Sequence, residues 1–166
     1  MESAKRGNVS AIYELSLFYT YGRGVPEDDK LAAKWLKEGA KRGDAMSQYE
    51  LGMRYFDGNG VKKDKKKGVE LIKKAAAQGH PSAQSELGIR YFTGEGVEID
   101  HKQGLELLIK SANMEDEKAQ YNLGRIYAEG WGAPKDEKKA VEWLKKSTKN
   151  RNPDAKRYLK EHFCKA

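Results

Sequence analysis

The feature that most constrains this 166-residue chain is a pattern that returns every 36 residues. YTYGRGVPED begins at Tyr19, YFDGNGVKKD at Tyr55, YFTGEGVEID at Tyr91 and YAEGWGAPKD at Tyr127. Tyr, G-x-G and Asp are the shared columns. Upstream, Leu15, Leu51, Leu87 and Leu123 are each followed by a small residue, Ser16, Gly52, Gly88 or Gly124. Downstream, Ala32, Gly68, Gly104 and Ala140 precede the apolar pairs Trp35/Leu36, Leu71/Ile72, Leu107/Leu108 and Trp143/Leu144. A chain written this way uses one supersecondary unit four times and buries each copy against its neighbours.

Both halves of the unit have helical period. Ala119, Leu123, Gly124 and Tyr127 fall on one helix face, and so do Ala140, Trp143, Leu144 and Ser147. The G-x-G between them reads as a helix stop, because glycine enters the left-handed conformation that ends a helix, and Pro26 and Pro134 lie just beyond. Around Gly58 and Gly60 the same letters look like the start of a phosphate-binding loop. Lys63 stands where that loop needs its third glycine, and four copies of a catalytic loop would be out of place in so small a chain. The glycines inside the first helix each cost about 1 kcal/mol relative to alanine, so close approach of a neighbouring helix backbone is the expected compensation. Ser16 predicts a looser fit in the first copy or tolerance of a hydroxyl.

At this point the residues resemble a known family. AQYNLGRIYAEGWGA from Ala119 and SAQSELGIRYFTGEGV from Ser82 are similar to the Sel-1-like repeat, a relative of the tetratricopeptide repeat. The resemblance implies an all-α fold, a right-handed α/α superhelical solenoid of helix-turn-helix repeats at about 8–43, 44–79, 80–115 and 116–151, with a C-terminal capping helix in 152–166, as a single domain. It also implies a concave face lined by the first helices, used for scaffolding or adaptor binding. The departures are Ser16 for Gly, Ser85 for Tyr and Ala133 for Val. Glu2 to Gly7 aligns with Glu38 to Gly43, as the tail of a preceding second helix would. Ala155, Leu159 and Phe163 continue the first-helix frame, while Lys160 replaces the packing glycine, which reads as a polar cap.

Composition narrows the function classes. Apolar residues make up 38% and charged residues 34%, which favours an elongated shape over a compact globule. Cys164 is the single cysteine, so no internal disulfide forms, and a cytoplasmic setting is the expectation. No signal-peptide core and no run of about 18 apolar residues is visible. The net charge of +7 permits nucleic acid or acidic partners. The lysines, however, cluster in the turn and second helix, at Lys62 to Lys67 and Lys135 to Lys146, without the arginine–aromatic interleaving of single-strand binders. Nucleic acid and membrane partners are therefore not expected, and a monomer is. His80, His101 and His162 lie outside the repeat columns with no metal-ligand spacing, and His80, beside Pro81, is expected in an exposed loop. We expect no catalytic residue, cofactor or metal.

With Leu51 and Tyr55 on the buried side, the opposite side of the first helix carries Met46, Tyr49, Glu50, Met53 and Asp57. Across the repeats this gives an aromatic row of Tyr13, Tyr49 and Tyr121 with Ser85 between. It gives an acidic row of Glu14, Glu50 and Glu86 ending at Asn122, and an apolar row of Leu17, Met53 and Ile89 ending at Arg125. Such rows mark a groove for a protein or peptide, although Leu17, Met53 and Ile89 read equally well as packing between repeats. The expected function is a non-enzymatic interaction scaffold or adaptor. The rival is a specific inhibitor or immunity-type protein that caps one toxin or effector.

Overall fold

The structure, a computed structural model, describes residues 8–163. The expectations for Glu2 to Gly7 and for Cys164 fall outside them. Among the described residues the chain is all-helical: α1 (Val9–Tyr21), α2 (Asp29–Lys41), α3 (Ala45–Asp57), α4 (Lys65–Ala77), α5 (Pro81–Thr93), α6 (His101–Asn113), α7 (Glu117–Glu129), α8 (Glu137–Lys149) and α9 (Pro153–His162). The first eight form four helix pairs, and α9 packs against α8.

One polar residue sets the start of each second helix. Asp28, Asp64, Asp100 and Asp136 are its N-caps, each carboxylate accepting from the backbone N–H three residues on. The same aspartates donate their own backbone N–H to the carbonyls of Tyr19, Tyr55, Tyr91 and Tyr127 at 2.9–3.0 Å. The Tyr and Asp columns are thus the two ends of one hydrogen bond closing the turn. An aspartate at this position supplies a partner for an orphan N–H and a negative charge at the positive helix end.

Between them, Gly58 ends α3 at φ 86° and Gly60 follows at φ 70°, the left-handed region that side chains avoid. Gly60 has a second reason to lack a side chain. A methyl there would run into the backbone carbonyl of Asp29, at the start of the preceding pair's second helix. Gly132 is pressed in the same way, with His101 Cγ and Phe92 Cε1 each 2.7 Å from where its Cβ would stand. The first glycine of the turn ends a helix; at Gly60 and Gly132 the second also seats one pair on the preceding one, whereas at Gly24 the space is open.

The helix-interior glycines behave as the sequence predicts. A Cβ on Gly88 would stand 2.8 Å from Leu108 Cγ and 3.0 Å from the Gly104 carbonyl; one on Gly52 would stand 2.7 Å from Ile72 Cγ1. At Ser16 the hydroxyl is buried and donates to the Tyr13 carbonyl at 2.6 Å, so a small polar side chain is accommodated there.

The chain divides into two compact units, Met1–His80 and Pro81–Ala166. In the first, Leu36, Leu51 and Tyr55 form a buried cluster that Tyr13, Ala40 and Leu71 cover. In the second, Phe92, Leu108, Leu123 and Ile126 form the core, and Ile89, Tyr127 and Trp143 pack against it. Buried glutamines join successive pairs within each unit. Gln48 donates to the Ala40 carbonyl at the end of α2 and accepts from Gln78. Gln120 donates to the Ala112 carbonyl at the end of α6 and accepts from Asn150. A buried amide is stable only when both its ends are satisfied in this way.

Candidate functional site

In the first unit the exposed side of α1 and α3 carries seven of the residues singled out in the sequence. Glu14 and Asp57 are exposed, and Tyr13, Leu17, Tyr49, Glu50 and Met53 are half-buried. Tyr13 rests on the Leu36/Leu51/Tyr55 cluster. Its phenol pKa is pushed up by burial and then by the neighbouring charges of Glu50, Glu14 and Asp44. The acidic and aromatic rows therefore meet around one ring. Tyr49 stacks on His80, ring centres 5.1 Å apart and 24° from parallel. This corrects the expectation of a merely exposed loop histidine, because the ring is half-covered by an aromatic neighbour. Met46, on the same helix, is 46% exposed, a large apolar side chain left in water.

In the second unit α5 and α7 carry the remaining five, all half-buried: Glu86, Ile89, Tyr121, Asn122 and Arg125. Ile89 packs against the unit's core cluster, so this member of the apolar row serves the fold as well as the surface. Ser85, which stands in the aromatic column, is buried. Glu86 pairs with Arg90, which also meets Glu95.

The second unit holds a network in which several functional candidates converge. Arg125 Nε donates to Glu129 Oε1 at 3.1 Å, and the same oxygen accepts from the Tyr158 hydroxyl at 3.2 Å. The Arg125 guanidinium lies 5.9 Å from the Tyr121 ring centre, and Tyr121 meets Tyr158 edge-on at 6.2 Å. Burial pushes the Tyr158 phenol up, and the Glu129 carboxylate adds to the shift. For Arg125 burial acts downward, but Glu129, Tyr121 and Tyr158 together outweigh it and the net direction is up. The sequence reading missed Tyr158 and Glu129. Tyr158 lies 36 residues beyond Asn122, so carrying the acidic column one step further finds it. Arg54 was missed as well. It is buried, and its guanidinium bonds to Asp29 at 2.7 Å and to Thr20 Oγ1 at 2.6 Å, tying α3 to both helices of the preceding pair.

These faces offer aromatic rings, thioether and aliphatic surface and carboxylates. Among the described residues no group of three or more His, Cys, Asp or Glu could hold a metal, and no helix is long and apolar enough to cross a membrane. The lysines of the turns and second helices, Lys62 to Lys67 and Lys135, Lys138, Lys139, Lys145 and Lys146, are exposed.

Comparison with known proteins places this architecture. The chain is similar to a protective antigen present in uropathogenic Escherichia coli strains that displays an SLR fold, with 32% identity over 95% of this chain and 34% of that one and a TM-score of 0.88. It is similar to a Sel1 repeat protein from Oxalobacter formigenes, with 30% identity over 93% of this chain and 63% of that one and a TM-score of 0.88. The chain thus spans about a third of the first structure and under two thirds of the second. An immunity protein from Pseudomonas aeruginosa shares the fold at 24% identity, over 99% of this chain and 61% of that one, with a TM-score of 0.69. No curated protein matches the chain. The Sel1 repeat profile matches four times, at residues 9–44, 45–80, 81–116 and 117–152. Sel1 repeats generally mediate protein–protein interaction and are typically non-enzymatic scaffolds, and to this family, the Sel1 repeat family, the chain belongs.

Proposed function

We propose that the chain is a non-enzymatic interaction module, a scaffold or adaptor that holds a peptide or protein segment against the exposed side of its first helices. The observation that carries this reading is the group of side chains on α3: Met46 in water, Met53 and Tyr49 half-covered, and Glu50 and Asp57 beside them. Apolar and aromatic side chains at the solvent boundary supply binding energy once a partner excludes water, and carboxylates around them select for a basic or hydrogen-bond-donating segment. The second unit presents Tyr121, Asn122 and Arg125 on its own first-helix side. The Arg125–Glu129–Tyr158 network holds those side chains in place before a partner arrives, which lowers the ordering cost of binding.

The rival reading is a specific inhibitor or immunity-type protein. It is supported by the fold shared with the Pseudomonas aeruginosa immunity protein, and at that identity the likeness speaks for fold alone. Affinity capture from the native cell with quantitative mass spectrometry separates the two: several clients favour the scaffold, and one stoichiometric toxin favours the rival. With the partner in hand, Met53→Glu is expected to weaken binding by about 1–2 kcal/mol or more. Joint replacement of Lys65 and Lys66 by Gln should leave it intact. If the lysine variant loses binding while Met53→Glu keeps it, the first-helix surface is not the site.

A further inference from the structure

The first unit has a second surface that the first-helix reading does not use. Between α2 and α4 lies a groove of about 460 Å³ whose floor is Ala40, Leu71 and the edges of Leu51 and Tyr55. Its rim carries Lys37, Lys41, Lys67 and Lys74 against a single carboxylate, Glu70. Lys67 is 5.1 Å from the centre of the Tyr55 ring, which it covers. Among the described residues Lys37, Lys41 and Lys74 form no ion pair.

The second unit supplies an internal comparison. The groove at the same register, about 550 Å³, is lined by Ala112, Trp143 and Lys146 in place of Ala40, Leu71 and Lys74. Asn113 stands where the first unit has Lys41, and Ile109 where it has Lys37. Lys146 is bonded to Glu142 at 2.8 Å and lies 4.2 Å from the Trp143 ring centre, so its charge is already matched. Lys149 and Glu115 also line the second groove, so one fold position carries Lys37, Lys41 and Lys74 without an ion pair in the first unit and one such lysine, beside a carboxylate, in the second.

We infer that the groove between α2 and α4 binds an acidic peptide segment, which seats an apolar side chain on Ala40 and Leu71 while its carboxylates meet Lys37, Lys41 and Lys74. Charge complementarity selects the sign of the partner, and the apolar floor selects a peptide over a nucleic acid. Sequence-tolerant nucleic-acid binding needs exposed rings on which bases stack, whereas Tyr55 is only 7% exposed and lies under Lys67. The rim also lacks the arginines that grip phosphates in a bidentate fashion. This site is independent of the first-helix surface and faces a partner of opposite charge.

The test uses a fluorescein-labelled glutamate-rich peptide with one central leucine, titrated with the full chain and followed by fluorescence polarisation at low and moderate salt. Binding is expected to weaken as salt rises. The Lys37→Gln/Lys41→Gln/Lys74→Gln variant should lose about tenfold or more in affinity, while Lys146→Gln and Met53→Glu leave it unchanged. Replacing the peptide leucine by serine should cost severalfold. These lysines are exposed, so melting of the triple variant should match the parent and exclude unfolding as the cause. The inference is overturned if the peptide does not bind, if the triple variant binds as well as the parent, if the leucine is without effect, or if a single-stranded oligonucleotide of equal charge competes as well as the unlabelled peptide. Retained binding by Met53→Glu keeps the outcome separate from that of the first-helix reading.

Discussion

The turn at Gly58 and Gly60 and the helix face at Tyr49 to Met53 lie within a few residues of each other, yet they vary by opposite rules. At the turn, Tyr, G-x-G and Asp recur in all four copies because each does what every copy needs: a closing hydrogen bond, left-handed backbone at both glycines and an N-cap, with Gly60 and Gly132 also seating their copy on the preceding pair. On the face, the column of Leu17, Met53, Ile89 and Arg125 changes in every copy, while the aromatic column departs from Tyr at Ser85 and the acidic column departs from Glu at Asn122. What the fold requires repeats. What differs among copies is free to be fitted to something outside the fold, and that is where a binding surface is expected.

Substitutions at the repeating positions should break the protein, and those on the face should spare it. The largest effect is expected for Gly88→Leu, whose side chain would meet Leu108 and the Gly104 backbone; overpacking of this kind costs about 1–3 kcal/mol or more. A melting temperature equal to the parent's would show that the glycine column is not a packing device. Gln120→Leu comes next, because it strips the buried Ala112 carbonyl and the Asn150 amide of their shared partner, at about 1–3 kcal/mol by urea titration. Asp64→Ala removes one N-cap and should cost about 1 kcal/mol in the same titration.

The two perturbed tyrosines give a milder, reversible probe. Folding raises the pKa of Tyr13 and Tyr158 above the ordinary tyrosine value of 10.0, so the folded state favours their protonated form. Their contribution is fully present below that value and is lost as pH climbs through the raised one. Ultraviolet titration of the parent should show late-ionising phenols that Tyr13→Phe and Tyr158→Phe each remove. The smallest effect on stability is expected for Met53→Glu, within about 0.5 kcal/mol if the side chain serves the surface. A loss as large as that of Gly88→Leu would assign Met53 to the core beside Ile89.

The repeat made the architecture legible, since columns spaced by 36 residues reveal structural roles even when each residue alone is ambiguous. The helix-interior glycines and the helix-stopping turn could be read this way. Less legible were polar residues doing interior work. Gln48, Gln120 and Arg54 look like surface residues by type, and only the neighbouring backbone reveals that they are buried against carbonyls and a carboxylate. Ile89 shows the opposite limit. Helical phase places it on the outward side, but the next helix pair rises far enough to cover half of it. Tyr158 escaped because it sits past the fourth copy, where the column continues although the motif does not.

Site-specific photocrosslinking in the native cell tests the central claim most directly. A photoreactive phenylalanine analogue placed in turn at Tyr49 and Tyr121, on the first-helix face, and at Lys138 and Lys145, exposed on the second helix of the second unit, reports which surface a partner touches. The account predicts discrete crosslinked protein bands from Tyr49 and Tyr121 and none from Lys138 or Lys145. Bands from Lys138 and Lys145 with none from Tyr49 or Tyr121 would contradict it.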